Sequence, residues 1–181
     1  MKDLGDADLM RLASGGNELA FAEIVRRYQD VLLNFFLRSS VSYTDGQDLA
    51  QRTFLRLWKY RRKYRSGGAK FTTFLFMVAR QVAIDFFRAE TSRREQEEKL
   101  LKAAADPALT PVKPGMTEQG EKVLRAVGRL TPTLREAVEL VVFQDLPYAE
   151  AGKVLKLPLG TVKSRIFNAL AKLKEYMANE R

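Results

Sequence analysis

The sequence predicts an all-α protein made of two helical domains joined by a flexible linker. Three observations lead there. Apolar residues recur at helical spacing through nearly the whole chain. Three of the six prolines fall in one stretch, at positions 107, 111 and 114. Charge also changes sign in that stretch: residues 1–94 hold 17 basic and 10 acidic side chains, 95–118 hold three and five, and 119–181 hold 11 and seven. These place a first domain at 1–94, a linker at 95–118 that starts helical and becomes extended, and a second domain at 119–181.

Residues 6–14 form a short helix opened by Asp6 or Asp8, and Asn17 caps a long one over about 18–38. Phe21, Ile24, Val25, Tyr28, Val31, Leu32, Phe35 and Phe36 make a broad core-facing stripe along it. The next helix covers Asp45 to Arg62 and buries Ala50, Phe54, Leu57, Trp58 and Arg61. Its other face carries Asp48, Gln51, Arg52, Leu55, Arg56 and Lys59. A leucine inside that polar stripe is either ordinary surface or a docking point for another protein. Asp45 and Asp48 suit the positive end of the helix dipole better than they suit a metal.

Lys59 to Arg65, KYRRKYR, sets five cations among two tyrosines, and Ser66, Gly67, Gly68 and Ala69 follow as a flexible loop. Cations that track phosphates beside rings that stack on bases suit single-stranded or distorted nucleic acid, the alternative being a solvated helix end. Phe71 to Arg88 is a strongly apolar helix with one polar line, Thr73, Arg80, Gln81 and Arg88, flanked by Thr72 and Asp85. Beside the basic loop, that line suggests a recognition surface.

In the second domain one helix covers about 119–129, and Thr131 caps the next, which has Pro132 at its first position and runs to about Phe143. Leu146 to Leu173 then reads as a helix-turn-helix. Tyr148, Ala151, Val154 and Leu155 line the first helix. Pro158 suits the first turn of the second, and Gly160 permits close approach of another surface. Val162, Ile166 and Leu170 face inward, leaving Lys163, Ser164, Phe167 and Asn168 outside with Thr161 and Arg165. Such side chains can hydrogen-bond base edges or touch a thymine methyl, although a basic exposed helix face is more often only solvated.

A formal net charge of +9 and a pI of about 9.8 imply an anionic partner. With no cysteine and no histidine, Cys/His zinc sites, disulfides, Cys nucleophiles and His general bases are excluded. No apolar run approaches the roughly 18 residues of a membrane span, and MKDLGDADLM does not read as a signal peptide. A cytoplasmic location without membrane insertion is the expectation, with no cofactor, metal or catalytic residue.

LTPTLREAVELVVFQDLPYAEAGKVLKLPLGTVKSRIFNALAKLKEYM resembles region 4 of the bacterial RNA polymerase sigma factors. DGQDLAQRTFLRLWKYRRKY followed by FTTFLFMVARQVAIDFFR is similar to their region 2, and the short linker resembles the extracytoplasmic-function (ECF) group. The resemblance covers roughly 5–92 and 119–178. It implies a non-enzymatic specificity subunit that binds core RNA polymerase and promoter DNA. Asp48, Gln51, Arg52, Leu55 and Arg56 would dock on the β′ clamp helices, and the β flap would be a second polymerase contact. The segment from Lys63 through Tyr64 and Arg65 to Lys70 would take up a base flipped from the −10 element. Thr73, Arg80, Gln81 and Arg88 would face the melted strand. Lys163, Ser164, Phe167 and Asn168 would read the −35 element, with Thr161 and Arg165 on phosphates. The linker would pass near the polymerase active centre and RNA exit path, and an anti-sigma factor would restrain the protein.

Four positions depart from the family pattern: Phe74 for a frequent tryptophan, Arg52 for an acid, Gln81 for an asparagine and Asn168 for an arginine. Two other classes compete. A self-sufficient helix-turn-helix regulator has no use for a polymerase-docking helix. A nucleic-acid enzyme lacking His and Cys would need a carboxylate metal cluster, for which Asp45 and Asp48 are the sole candidates.

Overall fold

A computed structural model describes residues 3–65, 70–100 and 117–178, with the backbone alone for 95–100. The Ser66–Ala69 loop and residues 101–116 of the linker lie outside the described residues. All the regular structure described is helical: α1 Asp6–Ser14, α2 Glu18–Arg38, α3 Tyr43–Tyr60, α4 Phe71–Leu100, α5 Glu118–Gly128, α6 Pro132–Val138, α7 Tyr148–Leu155 and α8 Leu159–Ala178. A 3₁₀ turn follows α3 at Arg61–Lys63, and a π turn follows α6 at Glu139–Phe143.

Asn17 opens α2 as its side chain predicts, with Oδ1 accepting from the Ala20 amide at 2.9 Å. Ser42 does the same for α3, its Oγ accepting from the Asp45 amide at 3.1 Å, so this helix starts two residues before the expected Asp45. Neither Asp6 nor Asp8 caps α1; the N-cap position is Gly5. Asp6 instead reaches α2, accepting from Arg27 Nη1 at 2.9 Å and from the Tyr28 hydroxyl at 2.6 Å. Thr131 sits at the N-cap position of α6 without a side-chain cap, its hydroxyl lying 3.3 Å from that of Thr133.

Helices α1 to α4 pack around Leu9, Met10, Ile24, Leu32, Phe36, Leu49, Leu57, Leu75 and Phe76, all at most 1% exposed. Gly46 is buried where α3 crosses α2: a Cβ there would stand 3.2 Å from Leu33 Cδ1. In the second half, α8 packs on α5, α6 and α7. The two halves also touch, α4 against α7 and α2 against α5, and their apolar residues form one continuous cluster.

The turn between α7 and α8 depends on Gly152. Lys156 adopts the left-handed conformation (φ 57°), and the Leu157 amide donates to the Gly152 carbonyl at 2.9 Å. A Cβ on Gly152 would come within 2.9 Å of the Leu157 oxygen, so the chain can fold back only over a glycine. Pro158 lies just before α8 rather than in its first turn, its carbonyl accepting from the Thr161 and Val162 amides.

Candidate nucleic-acid interface

The exposed side of α8 is built as the spacing predicts. Val162, Ile166 and Ala169 are buried, with at most 3% exposure. Leu170, expected inside, is 48% exposed, because Ala169 takes the inward position of that turn. Lys163, Ser164, Phe167 and Asn168 are exposed on adjacent turns, and Thr161 and Arg165 are half-buried at the edges. Phe167 shows 76% of its surface to solvent. Among the described residues no ion pair neutralises Lys163 or Arg165, so the charge of this face is available to an anion.

On α3, Asp48, Gln51, Arg52 and Leu55 are exposed, and Asp48 pairs with Arg52 at 2.7 Å. Leu55 is 67% exposed and borders a groove of about 360 Å³ with Phe21, Val25, Phe54 and Trp58. Arg56 is turned the other way, toward α4, where Nη2 meets Asp85 Oδ2 at 2.7 Å. Asp45 accepts from the Ser42 hydroxyl at 2.5 Å, so both acids weighed as a metal pair have local partners.

Cations of the basic segment lie over aromatic rings. The Arg61 guanidinium stacks on Trp58 at 4.0 Å, and Lys63 Nζ lies 4.7 Å from the Tyr60 ring centre. Lys63, Arg65 and Lys70 are exposed. Tyr64 is not free for stacking in this conformation: its ring packs on Phe71 (6.1 Å) and Phe74 (5.6 Å).

The polar line on α4 is two lines. Seven residues make nearly two turns, so Thr73 and Arg80 share one side of the helix; Gln81 and Arg88 share another, about 100° round. Gln81 and Arg88 are exposed, as expected. Thr73 is fully buried against α7, its hydroxyl donating to Glu150 Oε2 at 2.7 Å. Arg80 faces α6, with Nη2 donating to Glu136 Oε2 at 3.3 Å. Its Nε is 3.3 Å from Glu136 Oε1 but is not aligned to donate. Of the four residues expected to face a nucleic-acid strand, Gln81 and Arg88 are exposed in this conformation, and the second half of the chain covers Thr73 and Arg80.

The acids by which the second half meets the first, Glu136 and Glu150 against α4 and Glu139 against α2, did not stand out in the sequence. Glu139 is 2% exposed and binds Arg38 of α2 through both carboxylate oxygens. One signal was available, an acid inside the apolar run AVELVVF.

The family Sigma-70 region 2 matches residues 24–93, and Sigma-70, region 4 matches 120–173. The chain is 28% identical to the ECF RNA polymerase sigma factor RpoE of Cereibacter sphaeroides over 162 residues, covering 90% of this chain and 88% of that one. It is 27% identical to the ECF RNA polymerase sigma-E factor of Haemophilus influenzae, covering 93% of each. The chain is an ECF RNA polymerase sigma factor. Two solved structures share its fold. CnrH, in complex with the cytosolic domain of CnrY, aligns with a TM-score of 0.73 at 23% identity, covering 97% of this chain and 99% of that one. The sigma factor RpoE of Bartonella quintana, in complex with the anti-sigma factor NepR, aligns at 0.72 and 22%, covering 89% and 98%. The region 2 match of this sigma factor takes in α3, the basic turn and the described length of α4 up to Arg93. Its region 4 match takes in α7 and the part of α8 that bears Lys163 to Asn168. No helix among the described residues is long and apolar enough to cross a membrane.

Proposed function

We propose that this sigma factor divides its work between residues 1–94, which dock on core polymerase and read and melt the −10 element, and 119–181, which read the −35 element, with 95–118 as the tether. The observation that carries this is the exposed, uncompensated face of α8, where Lys163, Ser164, Phe167 and Asn168 stand together over a fully apolar inner face. Lys163 and Asn168 hydrogen-bond base edges in the major groove, Phe167 contacts a thymine methyl, and Thr161 and Arg165 hold phosphates. Asp48, Gln51, Arg52 and Leu55 form the docking face for the β′ clamp helices, and Arg56 supports it from the α4 side. Lys63, Arg65 and Lys70 attract the displaced strand, and Gln81 and Arg88 read it.

Thr73 and Arg80 join that surface only after the halves separate, since the second half covers both, whereas Tyr64 is held within the first half and joins it by leaving Phe71 and Phe74. The protein has no catalytic role of its own and acts in the cytoplasm with the polymerase. CnrH and RpoE were each solved with a partner, named for RpoE as an anti-sigma factor, and a protein of that kind restrains this chain too. The test is transcription in vitro with core polymerase on genomic fragments, mapping the start sites. Starts at a common pair of upstream elements support the assignment, and no start above core polymerase alone overturns it.

A further inference from the structure

Asp85 links Arg56 of α3 with Gln81 of α4. Its Oδ2 accepts from Arg56 Nη2 of α3 at 2.7 Å, and its Oδ1 accepts from Gln81 Nε2, one turn back on α4, at 2.9 Å. Arg56 first, and then Gln81, hold the Asp85 carboxyl below the usual carboxylate range, so it is ionised at neutral pH.

An ionised carboxylate only accepts hydrogen bonds. The Gln81 amide must therefore turn its nitrogen to Asp85 and its oxygen away. Without such a constraint a glutamine amide is close to two-fold about its last torsion and presents oxygen and nitrogen in either order. That order matters on an unpaired base. Adenine and cytosine carry an amino donor where guanine and thymine carry a keto acceptor. On the exposed pairing edge the next atom is then an acceptor in the first two and a donor in the last two. An amide free to flip satisfies both classes, whereas an amide fixed one way round satisfies one.

We propose that Asp85 is a positioning residue that fixes the orientation of the Gln81 amide, making Gln81 a discriminator between amino and keto bases in the melted −10 strand. Arg56 anchors the carboxylate from the neighbouring helix, so the orientation is held by two elements rather than by one exposed hydrogen bond. This rests on Gln81 facing the strand, and the experiment separates the two ideas.

Holoenzyme reconstituted with core polymerase is bound to promoter duplexes with a pre-melted −10 bubble. Each of the four bases is placed in turn at each non-template position. The wild-type protein shows one position where amino and keto bases differ, and Gln81→Ala removes that difference. Asp85→Asn keeps the shape, but Arg56 only donates and so holds the new amide oxygen, leaving the NH₂ toward Gln81 and removing the acceptor that fixed the Gln81 amide. The amino-to-keto ratio at that position then falls about fivefold, the worth of one ordinary hydrogen bond. Asp85→Glu, still a carboxylate one turn away, retains most of the ratio. The proposal is overturned if Asp85→Asn keeps the full ratio while Gln81→Ala loses it, and equally if Asp85→Glu loses as much as Asp85→Asn. If Gln81→Ala changes preference nowhere, the placement of Gln81 on the strand fails instead. A ratio between bases on one protein is insensitive to losses of folding or overall affinity.

Discussion

Arg38 and Glu139 join the two halves of the chain through a paired contact that is nearly dry. Arg38 Nε lies 2.5 Å from Glu139 Oε2 and Nη2 lies 2.7 Å from Oε1, with the two side chains 18% and 2% exposed. Gln144 Nε2 donates to the same carboxylate at 2.8 Å, and the Phe143 ring covers the guanidinium at 4.4 Å. Burial pushes the Glu139 carboxyl up, and the Arg38 guanidinium opposes that push.

Removing one partner of such a pair strands a charge, at a cost of about 3–5 kcal/mol. In Arg38→Ala the stranded Glu139 regains water if the halves part. Small-angle scattering is therefore expected to show a larger radius of gyration for this variant, with helical circular dichroism unchanged. The double variant Arg38→Ala/Glu139→Leu is expected to return toward the compact size, since no charge remains buried. An unchanged radius in the single variant would show that apolar contacts alone hold the halves together.

The absence of cysteine makes a single-thiol probe of the closed arrangement direct. Thr73 is fully buried in the α4–α7 contact. A Thr73→Cys thiol is expected to react slowly with a thiol reagent in the free protein and at least tenfold faster once core polymerase is bound, if docking parts the halves. Equal rates in both states count against opening on the polymerase.

Leu55 tests the docking face. At 67% exposure its replacement perturbs stability by no more than about 0.5 kcal/mol. Leu55→Asp is expected to abolish co-elution with core polymerase while the melting temperature stays within a few degrees of the parent. Retained co-elution would move the docking surface elsewhere.

The two edges of the recognition helix predict different responses to salt. On the proposed assignment Arg165→Ala removes one phosphate contact, so binding to all promoters is expected to fall alike and the salt dependence to become shallower by roughly one charge. Asn168→Ala removes no charge. It costs about 1–3 kcal/mol at one base position and relaxes preference there, with the slope unmoved. Binding of holoenzyme to a library of upstream elements at several salt concentrations distinguishes them. A changed slope with intact preference in Asn168→Ala would mean the helix lies differently in the groove.

Acid stability should depend on Glu23. Hydrogen bonds first from Arg26 and then from Arg27 hold its carboxyl down at about 2, against an ordinary 4.5. A depressed carboxylate stabilises the fold above its unfolded pKa and loses that contribution as pH falls through the folded one. Chemical unfolding is expected to show Glu23→Gln less stable than the parent at pH 7, the gap closing between about pH 4.5 and pH 2. A gap constant with pH would assign the loss to packing instead.

The sequence by itself determined the helices, their order and the faces they expose. Periodicity is local, and a helix records which of its sides is apolar within a few turns. Asn17 as a cap, the outward Leu55 and the set Lys163, Ser164, Phe167 and Asn168 were legible for that reason. Gly152, on which the turn depends, was not, because its crowding comes from an oxygen five residues on and only after the chain has turned. What lay against the polar side of α4 was decided by tertiary structure alone. Thr73 and Gln81 are equally polar in sequence, yet Glu150, 77 positions away from Thr73, buries the first while the second stays in water. Arg38 and Glu139 are separated by 101 positions, and an acid in an apolar run does not reveal whether a partner will reach it. Long-range pairing depends on how whole helices cross, and side-chain spacing along one helix carries no record of that crossing.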